Sequence, residues 1–181
     1  GEVWLSDISE WVWYCNDWEA KRLALRGRSL SFAMLGCRIR DHVQRADEHA
    51  LYAPFRKELL GREEPERITE LLERARPYLP PEGAIGEMVL SVGKAVYLCE
   101  KGADGIIDIS PFTCMNGIVS EALYPRLSRE HEGFPAKNVF FDGSPAALER
   151  DLEIFLELAR RYRSLIRQDQ AGLDSSCALS K

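Results

Sequence analysis

The sequence predicts an α/β fold, a parallel sheet with flanking helices and a helical insertion near its start. Three observations carry this. From residue 86 onward, helical periodicity alternates with short apolar runs in the order helix, strand, helix, strand, helix. Strands separated in this way pair in parallel through right-handed crossovers. The balance of 45% hydrophobic and 29% charged residues over 181 positions is globular, and the length suits one domain with an insertion.

Residues 2–5, with Val3, Trp4 and Leu5, read as a strand leading into Ser6 and Asp7. A helix is expected over about 8–26, with Ser6, Asp7 or Ser9 as N-cap. All four tryptophans, Trp4, Trp11, Trp13 and Trp18, fall in this opening region. They suit an aromatic packing face first, and an interface with a missing domain or a flat ligand second. Gly27 interrupts, and 29–60 reads as a long helical stretch with Leu30, Ala33, Met34, Cys37 and Ile39 toward one face. Pro54 is expected to kink or end it. Residues 66–76 form an amphipathic helix with Ile68, Leu71, Leu72 and Ala75 inward, stopped by Pro77, Pro80 and Pro81. The stretch from about 20 to 80 is thus expected to be an all-helical insertion between strands.

The α/β pattern proper starts with a helix over 87–101, ended by Gly102 as its C′ residue. A buried strand over 105–110 stops at Pro111. A helix from 115 to about 123 follows, and Pro125 and Pro135 bound the next loop. Val139, Phe140 and Phe141 form a second strand. It ends in Asp142-Gly143-Ser144-Pro145, an N-cap and first-turn proline signal for a last helix over 146–167. Residues 1–168 are expected to form a single α/β domain and 169–181 a weakly structured tail. The start at Gly1 suggests a piece of a longer protein.

Charge and cysteine content narrow the function classes. A net charge of −5 argues against a dedicated nucleic-acid binder. No apolar run approaches the roughly 20 residues of a membrane span. Lys21, Arg22, Arg26, Arg28, Arg38, Arg40 and Arg45 form a basic cluster that suits a solvated helical face, or a phosphate- or partner-binding surface. The cysteines, Cys15, Cys37, Cys99, Cys114 and Cys177, are odd in number and contain no CxxC pair. A disulfide framework is not expected, and a reducing cytoplasm fits. His42 and His49 lack a third ligand at metal spacing, so they read as surface residues. Glycine-rich phosphate loops of the familiar kinds are absent.

The chemistry concentrates in Ser110-Pro111-Phe112-Thr113-Cys114-Met115-Asn116-Gly117. This stretch delivers Cys114 from a strand end into the first turn of a helix. Helix N-termini present unpaired N–H groups and partial positive charge, a setting that favours thiolate. Ligands also gather at the carboxyl ends of strands in open α/β sheets. Ser110 and Thr113 flank the cysteine as possible donors to sulfur. Asp108 reads as a structural acid or an edge residue. His131, between Glu130 and Glu132, is a weak partner for a Cys–His hydrolase.

A resemblance adds to this. Gly86-Glu87, Leu90-Ser91-Val92-Gly93-Lys94-Ala95, Gly102-Ala103-Asp104-Gly105-Ile106 and Pro111-Phe112-Thr113-Cys114-Met115-Asn116-Gly117 together resemble the 2-hydroxyacyl-CoA dehydratase superfamily. The likeness is to the dehydratase-like portion of the large CoA-substrate-specific enzyme activase-related proteins. It covers roughly residues 84–165, with Phe140-Phe141-Asp142-Gly143 and the last helix included.

The resemblance implies flavodoxin-like, Rossmann-like α/β domains around a [4Fe–4S] cluster held by cysteines from different domains. Cys114 then corresponds to one metal ligand. Ser110, Pro111, Phe112, Thr113, Met115, Asn116 and Gly117 correspond to the walls of the cluster pocket. Implied partners are the other domains or subunits of the same anaerobic system and acyl-CoA, with no nucleic acid and no membrane. The implied activity is low-potential electron transfer or dehydration, a lyase or its activase, for which this chain alone lacks the remaining ligands. A cluster-free interaction domain of the same fold is the alternative, with the tryptophan-rich start and basic helix as its contact. A metal-free thiol redox enzyme is weaker still, because no resolving cysteine lies near Cys114 in sequence.

Overall fold

The computed structural model describes residues 1–61, 64–82, 86–141, 143 and 148–178, with side chains as far as Gln168. The chain divides into two compact units, Gly1–Glu73 and Arg74–Lys181.

In the first unit, α1 (Ser9–Leu25) and α2 (Phe32–Tyr52) form an antiparallel hairpin. Their direction follows from cross-helix pairs: Ser9 with Glu48, Asn16 with Gln44, and Glu19 with Arg40. Gly27 makes the reversal possible. At φ 69° it ends α1, donating to the Ala24 carbonyl at 2.9 Å while Arg28 donates to Leu23 at 2.9 Å. Ser31 then caps α2 by accepting from the Met34 N–H at 3.2 Å. Leu23, Met34 and Cys37 bury a small apolar cluster between the helices, with Ala20 at its margin. A 3₁₀ turn, Ala53–Phe55, follows α2 directly, so Pro54 ends the α-helix as expected.

Three expectations for this unit need correction. Residues 2–5 form no strand: no segment among the described residues pairs with them, and Val3 and Leu5 are 82% and 79% exposed. Trp4 is held instead by its indole N–H, which donates to Glu64 at 2.8 Å. The helical region therefore does not interrupt a sheet. The helix expected over 29–60 is shorter: Leu30 precedes it and is exposed, and Ala33 and Ile39 are exposed on it, leaving Met34 and Cys37 inward. α1 starts after Ile8 without a side-chain cap, although Asp7 accepts the Ser9 N–H at 3.0 Å.

Helix α3 (Ile68–Ala75) contains the division between the units. Ile68, Leu71, Leu72 and Ala75 are all buried, as its amphipathic spacing predicts.

The second unit is mixed α/β, largely helical, with a two-stranded parallel sheet among the described residues. Its elements are α4 (Met88–Glu100), β1 (Ile106–Pro111), α5 (Met115–Glu130), β2 (Ala136–Phe141) and α6 (Leu148–Ala178). Register runs from Ile106 opposite Ala136 to Pro111 opposite Phe141. Ile106 donates to Pro135 and Phe112 to Phe141, each at 2.9 Å. Even-numbered N–H groups of β1 thus face β2, and Pro111, which has no N–H, falls on the open edge where none is needed. Gly102 closes α4 at φ 84°, with the same pair of bonds that Gly27 makes in α1.

The core of this unit is Val92, Ala95, Val96, Tyr124, Leu127 and Phe134. Phe134 is fully buried and meets the Tyr162 ring edge-on at 5.5 Å between centroids. Phe155 of α6 covers Gly105, where a Cβ would come within 2.9 Å of its ring.

Pro125 does not bound a loop; it lies inside α5. The helix loses one backbone bond there but is anchored on both sides of the proline. Tyr124 and Leu127 are buried, and Arg126 pairs with Glu130 at 2.8 Å. α6 continues to Ala178, through most of the stretch expected as tail. The N-cap signal at Asp142, Ser144 and Pro145, and the Cys177 side chain, lie outside the described residues. No helix among the described residues is long and apolar enough to cross a membrane.

Candidate functional site

The β1–α5 connection is a tight turn. The Cys114 N–H donates to the Pro111 carbonyl at 3.1 Å, and the Cys114 carbonyl accepts the first α5 bond from Ile118 at 3.1 Å. Thr113 takes φ 65° within this turn. Left-handed backbone is unfavourable for a β-branched residue, on the order of 1–3 kcal/mol, and persists only where its surroundings enforce it. The enforced product is a half-buried Cys114 at the N-cap of α5, in extended backbone at φ −67°, ψ 118°.

The buried side of the turn explains the small residues after the cysteine. A Cβ on Gly117 would lie 2.4 Å from Ser110 Oγ and 3.0 Å from the Phe140 ring. Helix and strand therefore approach as closely as their backbones permit. Asn138 of β2 donates to the Gly117 carbonyl at 2.7 Å, which fixes the first turn of α5 over the sheet. The side-chain oxygen Oδ1 of the same amide is buried and has no hydrogen-bond partner among the described residues. Asn116 lies against Gly86, where a Cβ would come within 2.3 Å of its Oδ1. Two stretches about thirty residues apart in sequence, both part of the resemblance, thus meet in space. Asp108 accepts from Tyr124 at 2.7 Å, the structural role open to it in the sequence. Burial, reinforced by the Asp108 carboxylate, pushes the Tyr124 phenol well up, so it stays a donor.

Of the predicted pocket residues, Ser110 and Gly117 are buried against each other and Asn116 is half-buried. Pro111, Phe112, Thr113 and Met115 are exposed around the cysteine. Phe112 and Met115 are 64% and 73% exposed, with Ile109, Ile118 and Phe141 also open nearby in the sequence of the two strand ends. The half-buried Cys114 is thus flanked in sequence by exposed apolar residues on both sides, Phe112 and Met115.

The remaining candidates separate from it. His131 C-caps α5, at the far end of a helix about 24 Å long, and meets the Tyr78 hydroxyl at 3.1 Å. A Cys114–His131 pair is not formed. Cys99 faces Tyr162 Oη at 3.7 Å, and burial pushes its thiol up. Cys37 is buried as a packed thiol, whereas Cys15 is exposed on α1. In the basic cluster, Lys21 pairs with Asp17 at 2.8 Å, Arg40 with Glu19, and Arg45 with Asp41 at 3.0 Å. These pairs suit the solvated-face reading.

Among the described residues, no three His, Cys, Asp or Glu side chains converge to hold a metal ion. A cluster at Cys114 would draw its other ligands from elsewhere. No protein-family model, no curated protein and no solved structure matches the chain.

Proposed function

We propose that the second unit belongs to a flavodoxin-like domain of a 2-hydroxyacyl-CoA dehydratase-like, activase-related iron–sulfur protein, with Cys114 as one ligand of a shared [4Fe–4S] cluster. The observation that carries this reading is the strained Pro111–Cys114 turn, which holds one half-buried cysteine between the exposed apolar Phe112 and Met115. A single soft ligand and uncovered apolar neighbours fit a site whose other walls come from other domains or subunits. When bound, such a cluster supplies one-electron chemistry at low potential.

The chain's own contribution is positional. Ser110, Gly117 and Asn138 lock the turn to the sheet, so the thiol does not wander. The N–H groups of Met115, Asn116 and Gly117 precede the first α5 bond and have no partner within the helix. They are the donors available to sulfur, and such bonds tune a cluster's potential. Phe112 and Met115 would exclude water once covered. Alone, the chain is expected to be inactive.

The test is anaerobic reconstitution with iron and sulfide of the longest natural polypeptide carrying these residues, beside Cys114→Ser. We expect a brown, reducible protein whose electron paramagnetic resonance signal is lost or shifted in the variant. An identical cluster signal in Cys114→Ser would overturn the ligand assignment.

A further inference from the structure

The first unit contains a cleft of about 850 Å³, bounded by the opening segment, α2 and the stretch that follows the 3₁₀ turn. Small-molecule sites occupy roughly 300–1,000 Å³ and combine apolar walls with a few polar groups. Here the apolar walls combine three aromatic residues, Trp4, Trp13 and Tyr52, with Val3, Leu5, Leu59 and Pro65.

The polar groups are unevenly committed. Glu48 accepts from Ser9 Oγ at 2.5 Å, and Glu64 accepts from the Trp4 indole at 2.8 Å. Arg45 donates to Asp41 and to the Glu66 carbonyl, and lies 4.8 Å over the Trp13 ring. The Tyr52 hydroxyl donates to Asp7. Arg56 and Arg67 also line the cleft, and their guanidinium groups have no hydrogen bond or ion pair among the described residues. The exposed His49 and Glu66 line the cleft as well. What the cleft offers a ligand is therefore aromatic surface and guanidinium donors. Guanidinium groups match the planar oxygen pairs of carboxylates and the oxygens of phosphates.

We propose that this cleft binds a flat ring carrying an oxyanion, the ring against Trp4 and Tyr52 and the oxyanion on Arg56 and Arg67. The site lies wholly within Gly1–Glu73. It stands or falls independently of Cys114.

The test is calorimetric titration of the full chain with 1-naphthyl phosphate and with 1-naphthoate. Two controls accompany them: 1-naphthol keeps the ring and inorganic phosphate keeps the oxyanion. At least one naphthyl anion is expected to bind saturably, tenfold or more tighter than either control. A preference for the phosphate or the carboxylate then identifies which oxyanion the site takes. Arg56 and Arg67 are exposed, so Arg56→Ala/Arg67→Ala should keep its circular dichroism. It should bind the anion at least tenfold more weakly, and Arg56→Lys/Arg67→Lys should recover part of the loss. The proposal is overturned if 1-naphthol binds as tightly as the anions, if the double alanine variant binds unchanged, or if neither anion saturates.

Discussion

The two units solve the same problem, holding helices together, by different means. In Arg74–Lys181 a contiguous apolar core does it: Val92, Ala95, Val96, Tyr124, Leu127 and Phe134 are all under 6% exposed. In Gly1–Glu73 the described buried residues are more dispersed: Leu23, Met34 and Cys37 cluster between the helices, Trp13, Tyr14, Ile68, Leu71 and Leu72 are also buried, and Phe32, Leu35 and Leu51 remain open to solvent. The hairpin is in addition stitched by polar pairs along its length, from Tyr52 with Asp7, through Glu48 with Ser9 and Gln44 with Asn16, to Arg40 with Glu19. Burial is non-directional and insensitive to pH, whereas the pairs that contain a carboxylate respond to protonation, and exposed pairs are each worth little. The second unit should therefore be limited by packing and the first by its polar seams.

Core truncation gives the largest effect. Phe134→Ala removes a fully buried ring and its edge contact with Tyr162. It is expected to cost about 3–5 kcal/mol, read as lost hydrogen-exchange protection across α4, β1 and β2. Met34→Ala, in a small cluster near the end of the hairpin, should cost only about 2 kcal/mol because the site can collapse. All four tryptophans lie in the first unit, so a urea melt followed by their fluorescence reads that change. Equal costs for the two truncations would erase the contrast.

The sequence made the second unit legible because its local signals agree with its packing. Glycines end α4, apolar runs become strands, and the position of Cys114 follows from a strand stop and a helix start. Pro125 misled because burial of Tyr124 and Leu127 outweighs one lost backbone bond. The first unit was less legible for a physical reason. Val3, Trp4 and Leu5 have strand propensity but no strand to pair with among the described residues, and propensity without a ladder partner does not make a strand. The cleft escaped notice because its walls come from positions 3 to 67, and no spacing rule joins Trp4 to Arg56. The four tryptophans were the signal available, and they did admit a flat ligand. At Cys114, the turn was readable, but the strain at Thr113 and the contact of Asn116 with Gly86 are tertiary facts.

One substitution made in both units should change sign between them. At Gly117, alanine would drive its Cβ to 2.4 Å from Ser110 Oγ and 2.6 Å from Ser110 Cβ. Helix and strand must then part, at about 1–3 kcal/mol, and the Cys114 turn should loosen with them. At Gly36, inside α2, an added Cβ meets nothing within 4 Å. Alanine there should stabilise the hairpin by up to about 1 kcal/mol through helix propensity alone. Hydrogen exchange for Gly117→Ala and the tryptophan-monitored melt for Gly36→Ala check the pair. A neutral Gly117→Ala would mean that the close approach at the site is not required.

The smallest effect tests whether the first unit's seams are electrostatic. Burial raises the Glu48 carboxyl above its ordinary value, with the Ser9 hydroxyl pulling the other way and Asp7 adding to the rise. A raised carboxyl holds its proton in the folded state at a pH where the unfolded chain has released it. Between the ordinary and the raised value the folded state binds more protons, so stability falls as pH rises through that window. The contribution is fully present below the ordinary carboxylate value and is lost above the raised one. Glu48→Gln keeps an acceptor for Ser9 and removes the titration. Relative to the parent, the variant should gain stability as pH rises from about 4 toward neutrality, by about 0.5 kcal/mol, the scale of a partly exposed charge. Tryptophan-monitored urea melts at several pH values supply the difference, in which every other titrating group cancels. Parallel pH profiles for parent and variant would show that Glu48 carries no such penalty, and that the hairpin's polar pairs act as hydrogen bonds rather than as charges.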